Sequence, residues 1–115
     1  MNRKLKEFWQ ISISDSVASG KRVTLTEKFK KDGILKNFVV EFPAGSNSLV
    51  DLEIYLNNTK IAPKGGNSPI RLNDAVETFP LNIRFKRGDK LQTVIINADD
   101  TNAHRLNVIY NCEEE

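Results

Sequence analysis

The sequence has one cysteine, one histidine and one tryptophan, and its net charge is only +2. The lone Cys112 excludes an internal disulfide. It fits synthesis in a reducing compartment, or a fold with no need of a covalent staple. No stretch approaches the roughly 18 apolar residues of a membrane-spanning helix, and no apolar signal-peptide core follows Met1. Synthesis in the cytoplasm, without a membrane span, is the expectation. Histidine and cysteine carry much of nucleophilic and metal chemistry, and one of each leaves little to build with. The chain reads as non-enzymatic, with no catalytic, cofactor-binding or metal residue assigned and no cofactor expected. Gly65-Gly66-Asn67 is not a phosphate loop, because no Gly-Lys-Ser/Thr follows on a helix. Seventeen Lys and Arg against fifteen Asp and Glu give no excess that calls for direct nucleic-acid or membrane binding. No internal repeat is present, which argues against a propeller or solenoid.

What is there is a chain of 115 residues, enough for one domain that buries about two-thirds of its unfolded surface. Charge gathers at the termini: Arg3, Lys4 and Lys6 at the start, Glu113-Glu114-Glu115 at the finish. This divides the sequence into a basic arm (1–7), one domain (8–112) and an acidic tail (113–115). The termini are either solvated or complementary contacts between subunits.

Alternation of apolar and polar residues places one set of side chains on each strand face. Around residues 5–14, Trp9, Ile11 and Ile13 share a face, and 15–21 reads as a polar connection. Val23 and Leu25 alternate with Thr24 and Thr26. Asp32-Gly33 closes a charged turn. Phe38, Val40 and Phe42 face inward along 34–42, and Pro43 ends that strand. Val50, Leu52, Ile54 and Leu56 alternate, and Asn57-Asn58 turns the chain into a short return strand at 60–62. Residues 63–69 read as a loop, Ile70 and Leu72 as a short strand, and 73–77 as the one helical turn.

Residues 81–97 organise the rest. Leu81, Ile83 and Phe85 alternate up to Lys86-Arg87-Gly88-Asp89, where Gly88 supplies φ > 0 and Asp89 caps the turn. Val94-Ile95-Ile96 are consecutive and apolar, which marks a central strand. With Leu106, Val108 and Tyr110 they read as an antiparallel meander. Seven to nine short strands make the expected fold an all-β antiparallel sandwich, jelly-roll-like. Its expected core is Trp9, Ile11, Val23, Leu25, Phe38, Val40, Phe42, Val50, Leu52, Ile54, Leu56, Ile83, Phe85, Leu91, Ile95, Leu106 and Val108.

Each chemistry-bearing residue has an ordinary reading. His104 reads as a surface residue at a strand start, since its spacing to Asp99 and Asp100 matches no zinc or calcium pattern. Asp99-Asp100 reads as an Asx turn, and Cys112 as a small packing residue. Arg84, Lys86, Arg87 and Lys90 read as a solvated turn. Arg87-Gly88-Asp89 spells an adhesion tripeptide, but Gly-Asp is an ordinary turn choice.

Three phrases, Val40-Glu41-Phe42-Pro43-Ala44-Gly45, Leu49-Val50-Asp51-Leu52-Glu53-Ile54 and Ile83-Arg84-Phe85-Lys86-Arg87-Gly88-Asp89-Lys90-Leu91, stand in that order. With His104 and a final short strand they resemble the small single-jelly-roll structural proteins of viruses of archaea and bacteria. The resemblance spans about 23–110 and carries no catalytic or binding residue. It implies a virion or similar shell component that forms homo-oligomers and meets other assembly proteins. The alternative is a module that binds carbohydrate or a protein surface through loops 43–49, 63–69 and 99–104.

Overall fold

A computed structural model describes residues 6–46, 49–63, 70–71 and 73–115. Among these residues there are eight strands: β1 (Phe8–Val17), β2 (Arg22–Lys28), β3 (Gly33–Phe42), β4 (Val50–Leu56), β5 (Thr59–Ala62), β6 (Ala75–Phe85), β7 (Lys90–Asn97) and β8 (His104–Glu113). They form two four-stranded antiparallel sheets, ordered β1-β8-β3-β6 and β2-β7-β4-β5. β1 pairs with β8, β2 with β7, β3 with β6 and β4 with β5, as if one long hairpin had been rolled up. That order is a jelly roll.

This topology corrects the reading of residues 81–110 as a meander. β6 and β7 are joined by a tight turn, yet they lie in different sheets, and β8 returns to the sheet of β6. The turn chemistry is as expected, with Gly88 at φ 93° and the Lys86 amide donating to Asp89 Oδ2 at 2.8 Å. A turn of this kind reverses the chain without choosing the next strand's partner. Among strands adjacent in sequence, only β4 and β5 pair with each other. Their turn has Asn57 at φ 49° and Asn58 at φ 69°, the left-handed pair that a two-residue hairpin requires.

Residues 73–77 hold no helical turn: Ala75 to Glu77 already belong to β6, which runs on through Pro80. β6 is a sheet edge, where the missing proline N–H costs no ladder bond. Ile70 makes a single bridge to Leu52, and Leu72 lies outside the described residues. Asp15 to Val17, read as a connection, are the last residues of β1.

The core sits between the sheets. Leu35, Phe38, Val40, Phe42, Phe85, Leu106, Val108 and Tyr110 come from one sheet, and Val50, Leu52, Ile54, Leu91 and Ile95 from the other. Burying one such side chain contributes about 1.5–3 kcal/mol. Trp9, Ile11, Val23, Leu25, Leu56 and Ile83, expected in the core, are only half-buried, because β1, β2, β5 and β6 are edges or flank them. Conversely Val17, Phe29, Leu35, Ile61, Ala62, Tyr110 and Cys112 are buried. Phe29 stands in the charged turn after β2 and plugs the end of the core, stacked on Phe85 with centroids 3.7 Å apart. The Tyr110 hydroxyl is buried and shares a 2.7 Å hydrogen bond with Thr93, so burial raises its pKa further than that bond lowers it.

Candidate functional site

One end of the sandwich carries the His104 network. His104 is buried rather than exposed, and its Nε2 lies 2.8 Å from Asp99 Oδ2. Asp99 Oδ1 accepts the backbone amides of Thr101 and Asn102. These bonds, the His104 side chain first, hold the Asp99 carboxyl down to about 2. An ionised carboxylate only accepts, so His104 Nε2 carries the proton in this bond. Asn97 Nδ2 donates to the carbonyls of Val17 and Asn102, and Asn97 Oδ1 accepts the Asp99 amide. Every partner here is backbone or a neighbouring side chain of the same loops. The network ties the β7–β8 loop to the end of β1, and among the described residues no group of three metal-ligating side chains forms. Asp99 thus makes the expected Asx turn. The sequence did not reveal that His104 closes it.

At the opposite end, the β2–β3 and β6–β7 turns are bonded together. Phe29 N–H donates to the Asp89 carbonyl at 2.9 Å, and Gly88 N–H to the Phe29 carbonyl at 2.8 Å. Arg87 N–H donates to Asp32 Oδ1 at 2.8 Å. Asp32 and Asp89 are therefore engaged by backbone amides. Lys28 and Lys30 join Lys86, Arg87 and Lys90 on this surface, all exposed, and none enters an ion pair among the described residues. Residues 6–7 and 113–114 meet at this end. Lys6 pairs with Glu113 at 3.1 Å, and the Glu114 amide donates to the Glu7 carbonyl. Lys6 and Glu113 thus complement each other within one chain; Arg3 and Lys4 lie outside the described residues.

The outer face of the β1-β8-β3-β6 sheet carries a row of amides. Gln10 Nε2 donates to Asn111 Oδ1 at 2.9 Å, and Asn111 Nδ2 to Asn37 Oδ1 at 2.6 Å. Beside the row, β3 bulges at Lys36, which has no opposite residue on β8. A bulge re-aims the side chain it carries. Lys36 Nζ lies 3.3 Å from Asn82 Oδ1 and 3.8 Å from Glu113 Oε2. The result is an open groove of about 550 Å³ bordered by Phe8, Gln10, Lys36, Asn37, Asn111 and Glu113. Phe8 is 69% exposed, the most exposed large apolar side chain among the described residues.

The fourth feature is the free edge of β1. An unpaired strand edge presents a row of backbone donors and acceptors and invites another strand; proteins blunt such edges with proline, charge, shortness or bulges. Three of the four edges here are blunted. β6 carries Pro80 and a left-handed Asn82 at φ 63°. β5 has four residues. β2 carries Arg22, Glu27 and Lys28 in its seven residues. β1 runs ten residues with no proline and one charge, Asp15, and among the described residues it pairs only with β8. Its half-buried Trp9, Ile11 and Ile13 pack against the margin of the core, as do Val23 and Leu25 of β2, the edge strand of the other sheet. Sequence periodicity found β1 but could not show that its second edge is free, because that depends on topology.

Of the loops considered for binding, 47–48 and 64–69 lie outside the described residues. The expected solvated turn at Lys86–Lys90 is found, and Arg84 reaches Glu115 at 3.5 Å.

No protein family and no curated protein matches the sequence. Among solved structures, FlhE aligns at 10% identity with a TM-score of 0.52, covering 92% of this chain and 96% of that chain. A family two carbohydrate esterase from Cellvibrio japonicus aligns at 14% identity with a TM-score of 0.40. The alignment covers 96% of this chain but 34% of the esterase, so the chain spans about a third of that enzyme. The likeness to FlhE is one of fold.

Proposed function

We propose that this protein is a non-enzymatic structural subunit that self-associates through its sheet edge. The observation that carries the reading is β1: ten residues with no proline and one charge, paired on one side only among the described residues, and lined by half-buried apolar residues. Strand addition to such an edge gains main-chain hydrogen bonds and covers those apolar residues together. A virion or similar shell is the assembly that the sequence resemblance suggests, and that resemblance alone supports it. Light scattering on the purified chain at low and high salt tests self-association. A defined multiple of the chain mass supports it; a monomer at high concentration in both buffers overturns it.

The groove beside Phe8 favours a second reading, a carbohydrate-binding module. Free amide valences on Gln10 and Asn37, a lysine, a carboxylate and an exposed ring suit sugar hydroxyls and the apolar face of a pyranose. A glycan array probed with the wild type and with Asn37→Ala separates the two. A specific hit lost in the variant supports the module, and no hit removes it.

A further inference from the structure

We propose that two copies of this chain pair antiparallel through β1, centred on Ser12, and so join their β1-β8-β3-β6 sheets into one continuous sheet. The inference rests on the self-association proposed above and supplies its partner, strand and register.

Symmetry limits the choices. Identical strands pair antiparallel about a two-fold axis perpendicular to the sheet, and that axis keeps each residue on its own face. Outward residues therefore meet outward residues, and the axis passes through a residue rather than between two. Two registers leave only one residue of β1 unpaired: one centred on Ser12, the other on Ile13.

Chemistry separates them. Centring on Ile13 sets Asp15 opposite Ile11 of the second copy, where a carboxylate loses water and gains no partner. Centring on Ser12 sets Ile11 opposite Ile13 on the inner side, which covers both half-buried residues. On the outer side Ser12 meets its own copy, Gln10 meets Ser14, and all three are exposed polar residues free of charge. Asp15 then stands opposite Trp9 of the second copy. Lys31 Nζ lies 4.2 Å from the centroid of the Trp9 ring. The second copy's ammonium, which also pairs with its own Glu7 at 2.7 Å, is thereby brought toward an Asp15 that makes no ion pair among the described residues and whose Oδ1 accepts the Ser16 amide. The two-fold axis repeats this contact, so each end of the paired strands sets one lysine between Glu7 of its own chain and Asp15 of the other. No two like charges stand directly opposite each other along the register.

Cysteine cross-linking on the full chain tests it. Cα atoms directly opposite in an antiparallel pair lie about 4.5–5.5 Å apart, within the range a disulfide spans. Under mild oxidation Ser12→Cys is expected to convert most of the protein to a reducible covalent dimer. Ser16→Cys is not, because eight strand positions, roughly 26 Å, separate it from its symmetry mate. The wild type controls for Cys112, which is buried. If light scattering finds an oligomer but Ser12→Cys stays uncross-linked, or Ser16→Cys cross-links as readily, this register is overturned and self-association stands. If the protein is monomeric at every concentration, both fall.

Discussion

Gly33 is a glycine because two rings and a carbonyl leave no room for a methyl group. A Cβ there would stand 2.7 Å from Phe85 Cζ, 2.7 Å from Trp9 Cη2 and 2.9 Å from the Glu113 carbonyl. In the sequence, Asp32-Gly33 looks like a turn that needs glycine for its backbone. In the fold, Gly33 opens β3, and packing sets the requirement. Gly33→Ala should lower stability by about 1–3 kcal/mol, the usual cost of overpacking, read as a shift in the urea midpoint at unchanged slope. Asp99 gives a prediction of a different kind. Its carboxyl is held down to about 2, chiefly by His104, whereas in an unfolded chain it titrates at about 3.9. A depressed folded pKa stabilises fully above the unfolded value and loses that stabilisation as pH falls through the folded one. The urea-midpoint gap between wild type and Asp99→Asn should therefore be fully open at pH 5 and narrow as pH falls toward 2. A gap independent of pH would contradict the role assigned to this carboxylate. The partnership itself was not legible, because only the folded loop brings Asp99 and His104 together.

At the scale of elements, periodicity located the strands, and turn chemistry located the reversals. Val50 to Leu56 and Val94-Ile95-Ile96 behave as their patterns indicate; β7 is central, paired on both sides by β2 and β4. Pairing was not legible, because a tight turn at Gly88 serves a crossover between sheets as well as a hairpin within one. Pro80 shows a related ambiguity. It reads as a break, yet on an edge it is tolerated within β6 and also protects that edge. Asn82, left-handed in the same strand and bonded to Lys36, adds a second defect. Replacing both, Pro80→Val with Asn82→Thr, should expose a regular second edge. The expected outcome is higher-order association or turbidity that the wild type lacks under the same conditions. A double variant that sediments like the wild type would show that β6 is protected by something else.

For the whole molecule, the strand order β1-β8-β3-β6 over β2-β7-β4-β5 explains why some expected core residues stay half-exposed. Trp9 and Ile11 on β1, and Val23 and Leu25 on β2, belong to the two edge strands on one side, where neither sheet fully covers the other. Sequence supplied the sandwich, the strand count and most inward-facing residues. It could not supply the free edge, which exists only once both sheets are assembled. In the proposed pairing this edge is completed by a second copy. Sedimentation equilibrium on the wild type and on Ser12→Lys tests it most directly, since the change adds an exposed side chain to the monomer but sets two introduced charges face to face in the pair. The wild type should have a mass at a multiple of 13.0 kDa, and Ser12→Lys a mass of 13.0 kDa with an unchanged thermal midpoint. A wild type that stays at 13.0 kDa at every concentration, or a Ser12→Lys variant that associates as the wild type does, would contradict it.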